Sequence, residues 1–563
     1  MKTCTQCKAQ FQITDSDRAF YRKIDVPGPT LCPGCRYQRR LTWRSELNFY
    51  SNKCGLCGTD VLSTLGPHSG YTVYCRPCYW SDKWNPLSYG RDFDFSRPFF
   101  EQFSELVKAT PTVHLFGFAD NENSVYVNYA GSLKNSYMYC GGRWGENMYY
   151  VFFGVRNKDS VDVAIAYDSE LCYDSTDINN CYNVRYSEYC RDCNESAFLY
   201  NCNNCQNCFC STNLSNASFV FCNQKLTKEQ YTERMKEVHL STYMGVEHWR
   251  KEFEKLKRVS IRKPVFSVRS ENCTGDYFRN SKDCIASYSI NDCENAHYCQ
   301  FVSNMRDVMD ISQAGFNGEL AYEICTGGNA SYNLGVGVVV RDCMNVWYSY
   351  ICHNSNNLFG CANLWKQEYC IFNKKYASEE YEKLRMRIIA HMKETGEWGQ
   401  FFPTQFSPYS YNESAAQDSF SMIKDEALSR GWRWQDKMPE TRGKETVSWD
   451  KVPDDIIEVS ESICKEILAC AETGKNYKII KQEFDFYKRM GIPIPRLHPD
   501  VRKLKRLALR NPRKLWHRQC VCSLAGHGQH AGGVQCITEF ETTYPPDSPA
   551  IVYCEQCYQA EVV

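Results

Sequence analysis

The sequence predicts a mainly β chain: a duplicated, cysteine-rich right-handed β-helix (a solenoid) with capping helices, flanked by N- and C-terminal zinc-ribbon modules. Three observations predict it. Residues 4–54 recur without a gap 466 positions later, so that Phe20-Tyr21 returns as Phe486-Tyr487 and Arg36, Arg40 and Arg44 return as Arg502, Arg506 and Arg510. Cysteines in the middle of the chain recur nine apart, at Cys172, Cys181 and Cys190 and again at Cys343, Cys352, Cys361 and Cys370. That middle is itself duplicated at an offset of 150, where Arg191-Asp192-Cys193 becomes Arg341-Asp342-Cys343.

The predicted order is two zinc ribbons over 1–90, a linker over 91–125, a first solenoid copy with capping helices over 126–262 and a second with its capping helix over 263–399. An irregular connector follows over 400–457. The C-terminal copy of the zinc module, one ribbon degenerate and one intact, fills 458–563. A chain of 563 residues exceeds a single core, which agrees with several domains. Its 66 basic and 66 acidic residues balance, so any attraction to nucleic acid must be local. The 34 cysteines accompany an opening without an apolar signal region, and they read as reduced thiols of a cytoplasmic protein. No apolar run approaches the ~20 residues of a membrane span, so no membrane partner is expected.

In the N-terminal module, Cys4-x-x-Cys7 with Cys32-x-x-Cys35 makes one ribbon and Cys54-x-x-Cys57 with Cys75-x-x-Cys78 a second. A C-x-x-C turn aims two thiolates at one point, and two such turns complete the tetrahedron that zinc prefers. A third ribbon follows from internal comparison, because the stretch from Cys57 to Cys75 has the same length as that from Cys536 to Cys554. Cys536, Cys554 and Cys557 are its secure ligands. Cys520 aligns with Cys54, but an insertion carrying Cys522, His527 and His530 intervenes, so the fourth ligand is Cys520 or Cys522, ahead of a histidine. Closed four-thiolate shells leave no position for water, which makes the zinc structural. Three zinc ions are expected. None is expected in the copy of the first ribbon, where Cys470, Thr473, His498 and Val501 replace the four thiols.

The solenoid units are short strands rich in aromatic and β-branched residues, entered through Asn or Asp, such as Asn180-Cys181-Tyr182-Asn183-Val184. Two units would make a coil of roughly 20–25 residues with small, soft cysteines stacked inside. The dense group Cys202, Cys205, Cys208 and Cys210 stays open as a metal site. Each copy ends in a charged helix that would cover the open end, the first signalled by the capping box Thr227-x-x-Gln230. Helices are also expected near 246–258, 415–430 and 455–471.

Basic residues concentrate at one joint per module: Arg36, Arg39, Arg40 and Arg44 in the first, and Arg502, Lys503, Lys505, Arg506, Arg510, Arg513, Lys514 and Arg518 in the second. A helix there would turn Leu504, Leu507 and Leu515 inward and present cations outward to phosphates, with Tyr37, Trp43 and Trp516 placed to stack on bases. The opening knuckles with their V-P-x-P-T-x-C-P-x-C-R run, Trp80-Ser81-Asp82-Lys83-Trp84, and the closing Val552-Tyr553-Cys554-Glu555-x-Cys557-Tyr558 resemble an uncharacterised zinc-ribbon family of uncultured bacteria, a resemblance that implies no activity. The expected function is a non-enzymatic multi-zinc scaffold contacting RNA, DNA or a ribonucleoprotein through its basic joints. The alternatives are an adaptor binding protein on the solenoid face, and a β-helix enzyme acting on a glycan through carboxylates such as Asp168, Asp174 and Asp177.

Overall fold

The computed structural model describes residues 1–117, 119–527 and 530–562. The chain is mostly strand, with cysteine clusters near both ends. Its largest features are two sheets, one of 11 strands between Val125 and Lys225 and one of 10 between Ser267 and Lys375. Within each, strands follow one another in parallel at a nearly constant offset. Val127 pairs with Tyr139 and Tyr139 with Val151; Phe278 pairs with Ile290 and Ile290 with Val302. The offset lengthens by one where Glu319 meets Tyr332, and there the left-handed residues Thr326 and Ala330 stand four apart.

A three-residue step produces this register. From Tyr126 to Cys222 every third residue has a positive φ, and the same step runs from Ala330 to Phe372. Four steps separate residues paired on neighbouring strands, a register repeat shorter than the roughly 20–25 residues expected from the sequence. Left-handed backbone costs roughly 1–2 kcal/mol per non-glycine residue, and the pattern offsets this by stacking amides at those positions. Asn123 donates to Asn135, Asn135 to Asn147 and Asn147 to Asp159. The residue after each left-handed one points inward. Cys172, Cys181, Cys190, Cys193, Cys202, Cys205 and Cys208 all hold such positions and are buried. Nine is three steps, which is the spacing the sequence displayed. Their thiols lean on carbonyls two residues back and nine ahead, as Cys193 does on Arg191 at 3.3 Å and on Cys202 at 3.5 Å.

The outward positions carry a column of alternating charge. Glu122, Lys134, Glu146, Lys158 and Glu170 neighbour one another in that order in the first sheet, as do Glu271, Lys282, Glu294 and Arg306 in the second. Each sheet ends in an antiparallel strand, Gln224–Lys225 or Lys374–Lys375, followed by a helix, Lys228–Lys236 or Ser378–Glu394. Thr227 and Gln230 close the expected capping box. Tyr231 packs on Phe219 and Tyr381 on Tyr369, holding each helix against the last strand.

The chain gathers into two compact units, neither continuous in sequence. One contains 1–115, 265–438 and 513–515; the other contains 116–264, 439–512 and 516–563. Each unit therefore joins one zinc module to one large sheet. Two helical expectations need correction. Residues 455–471 hold only the 3-10 turn Glu461–Lys465 and the strand Leu468–Ala469, and Ile457 is 74 % exposed. The helix Pro499–Ala508 forms, but Leu504 is 41 % exposed and Arg502 and Arg506 face inward instead.

Candidate metal centres

All three expected ribbons are built alike. A short hairpin presents the first knuckle, and the backbone of its first cysteine closes the turn: Cys4 N–H donates to Ala9 O at 2.9 Å and Cys54 N–H to Thr59 O at 2.8 Å, while Cys520 N–H reaches Thr538 O at 2.9 Å. The second knuckle opens a helix. Cys32 and Cys75 stand as N-caps before Pro33–Leu41 and Arg76–Tyr79, where proline in the first turn loses no needed donor. One further bond recurs in every ribbon. The N–H of Cys32, Cys75 or Cys554 donates to the Sγ of Cys4, Cys54 or Cys520, at 3.3, 3.2 and 3.1 Å.

The thiol atoms of Cys4, Cys7, Cys32 and Cys35 lie within 4.8 Å of one another, as do those of Cys54, Cys57, Cys75 and Cys78 and those of Cys520, Cys536, Cys554 and Cys557. Sulfur pairs across the knuckles are 3.7, 3.8 and 4.0 Å apart. Zinc–sulfur bonds of about 2.3 Å at tetrahedral angles require about 3.8 Å, so the donor sets fit zinc. In each cage at least one thiol is held below the usual thiol range. Hydrogen bonding from Cys35 brings Cys32 down to about 5, and the Thr59 hydroxyl and N–H bring Cys57 down to about 6. Burial opposes the shift at Cys536, but Thr538 brings it to about 7. Cys7 and Cys57 are exposed, whereas every thiol of the third cage is buried.

The choice left open between Cys520 and Cys522 falls to Cys520, which completes the third cage. Cys522 belongs to a second grouping with His527, His530 and the same Cys557. Sequence reasoning counted these as surplus ligands; the insertion that carries them was the signal. No metal grouping among the described residues includes Cys202, Cys205, Cys208 or Cys210. The degenerate ribbon keeps its shape with only the Cys470 thiol left of the four. Cys470 N–H still donates to Lys475 O at 2.8 Å, and His498 still caps the following helix, with its Nδ1 accepting from Asp500 N–H at 3.1 Å.

The basic joints do not present their arginines to solvent. Arg36 donates to Asp310 at 2.8 Å, and Arg40 to both Asp310 at 2.9 Å and Glu323 at 2.8 Å, all buried. Arg39 reaches Glu323 at 2.9 Å and Arg44 reaches Glu46 at 2.9 Å. The C-terminal module repeats the arrangement on the other sheet. Arg502 pairs with Asp162, Arg506 with Asp162 at 2.7 Å and Asp174 at 3.1 Å, and Arg510 with Asp177 at 2.9 Å. The arginines expected to face phosphate are thus engaged by carboxylates, of which Asp162, Asp174, Asp177, Asp310 and Glu323 sit at left-handed positions of the sheets. Of the others, Lys503 lies against the Phe152 ring, Lys505 pairs with Glu472, Arg513 lies over Tyr37 and Phe301, Arg518 donates to Pro545 O, and Lys514 is exposed. The acids proposed for glycan chemistry are engaged too: Asp168 by Arg156, Asp174 by Arg250 and Arg506, Asp177 by Arg510.

No protein-family model matches the chain, and no curated protein matches it. The geometry gives the chain several four-cysteine cages that could hold metal ions, as a metal-binding scaffold would have. No helix among the described residues is long and apolar enough to cross a membrane.

Proposed function

We propose that this protein is a non-enzymatic, zinc-stabilised scaffold of the reducing cytoplasm. Each large sheet is a right-handed β-solenoid whose coil is four three-residue steps, and each carries a docked zinc module that braces it. The fate of the arginines carries this reading: Arg36, Arg40, Arg502 and Arg506 are buried on carboxylates of the sheets, so the modules act inward. The outward face then serves a protein partner. Tyr182 and Tyr332, equivalent across the offset of 150, remain 43 % and 48 % exposed. Of the two expected partner classes, this favours protein over RNA or DNA.

The full-length protein, titrated with single-stranded RNA at low salt, should show no salt-steep binding. Crosslinking in native cells should recover a protein that the double variant Tyr182→Asp, Tyr332→Asp no longer captures while keeping its zinc. RNA binding that falls steeply with salt would overturn the reading and restore a nucleic-acid partner.

A further inference from the structure

We propose that the C-terminal ribbon holds two zinc ions, bridged by the Cys557 thiolate. The first ion takes Cys520, Cys536, Cys554 and Cys557; the second takes Cys522, His527, His530 and the same Cys557. In the second set the Cys522 Sγ stands 3.2 Å from His527 Nδ1, and the Cys557 Sγ 3.6 Å from His530 Nε2. Tetrahedral zinc with sulfur and nitrogen ligands places such pairs about 3.5 Å apart.

The far nitrogen of each imidazole is already committed. His527 Nε2–H donates to Glu561 at 2.9 Å, and His530 Nδ1–H donates to the Ala531 carbonyl at 3.2 Å. Each bond fixes the tautomer that leaves the inner nitrogen with a free lone pair, the usual outer support of a metal-ligating histidine. The burial supplies an electrostatic reason. A four-thiolate zinc carries a formal double negative charge. In the first two cages Cys7 and Cys57 expose that charge to water, but all thiols of the third are buried. A second cation bringing one further thiolate halves the charge, and the Cys522 thiol and imidazoles complete its shell without opening the site.

The described part of the insertion is held by few bonds, among them Gly533 N–H to Ser523 O at 2.9 Å and the Gln535 side-chain amide to Cys520 O at 2.9 Å. Its apolar residues Val521, Leu524 and Val534 are exposed, and Cys522 is its buried anchor, its carbonyl accepting from Cys536 N–H at 2.8 Å. A bridged ion would close the loop as small metal domains are closed.

Native mass spectrometry of the full-length chain, with X-ray absorption at the zinc edge, tests this. The proposal expects one zinc more than the three cages provide, nitrogen scattering in the average shell, and a zinc–zinc vector. The double variant His527→Ala, His530→Ala should lose one zinc and the nitrogen signal while the other cages stay filled, which separates lost ligation from unfolding. His530→Cys should retain the ion with less nitrogen scattering. Only three zincs in the wild type, or an unchanged count in the double variant, would overturn the proposal.

Discussion

The ribbon at residues 4–35 and its copy at 470–501 share one frame and differ in what they enclose and what braces them. The first encloses four thiols; the second encloses Cys470, Thr473, His498 and Val501. Their turns correspond bond for bond, with Thr5 N–H to Thr30 O at 3.1 Å answered by Ala471 N–H to Arg496 O at 2.9 Å. Something else braces the copy. Residues 441–449 run along it, with Asn476 N–H donating to Thr441 O, Thr446 N–H to Ile467 O, and the Trp449 indole N–H to Ala469 O at 2.8 Å. What both copies keep is the triplet of arginines four apart, with its first two members set on carboxylates of a sheet. What the two copies share is docking on a sheet; the first has four thiols that could hold a metal, and the second is braced by residues 441–449 instead.

Metal removal should break the symmetry most sharply. A strong chelator should raise amide exchange across 2–35, because binding structural zinc contributes on the order of 10 kcal/mol in such small sites, while 468–501 stays protected. Cys32→Ser should lose one zinc, and His498→Ala none. Equal deprotection of both ribbons in exchange mass spectrometry would mean that the copy still depends on metal.

Removing a docking arginine should affect both modules alike. Arg40→Met and Arg506→Met each strand buried carboxylates, at a cost of about 3–5 kcal/mol in chemical denaturation. Adding Asp310→Asn to the first or Asp162→Asn to the second should recover part of that. A module that tolerates its arginine loss would show that docking is not the shared constraint.

Acid should separate the copies by the smallest margin. Burial acts to raise Asp17, but His297, the Thr14 N–H and Tyr298 outweigh it and lower its pKa. At the equivalent place, burial raises Glu483 despite Arg502. A lowered carboxyl contributes stability that is present above its unfolded pKa and is lost as pH falls through the folded one. A raised carboxyl contributes stability that is present below its unfolded pKa and is lost as pH rises through the folded one. As pH falls through the carboxylate range, exchange should therefore accelerate around Asp17 and slow around Glu483. Asp17→Asn and Glu483→Gln should each flatten their own profile, and profiles of the same sign would refute the contrast.

The duplications, the knuckles and the third ribbon were legible because cysteine, proline and arginine stand at fixed offsets. The register offset between strands was not. A step of three mixes Ser, Cys, Val and Ala inside, and it places Tyr, Phe and Ile as well as Asn at left-handed positions, so no period of two appears. The joints misled for a different reason. Asp310 and Asp162 lie hundreds of residues from the arginines they hold, and neither carries a local signature. Ile456, Val459 and Ile463 mimicked a helical stripe, yet Ile457 faces solvent and the segment tightens to a 3-10 turn.

The alternating column from Glu122 to Glu170 works as a parity check on the repeat. Deleting one register repeat from within it would set Glu against Glu or Lys against Lys at one junction, whereas deleting two adjacent repeats would leave every neighbour opposite in sign. Descendants of such a gene can therefore lengthen or shorten this stretch at little cost only by whole pairs of register repeats, and an odd change within the column leaves one seam of like charges that further substitution must mend.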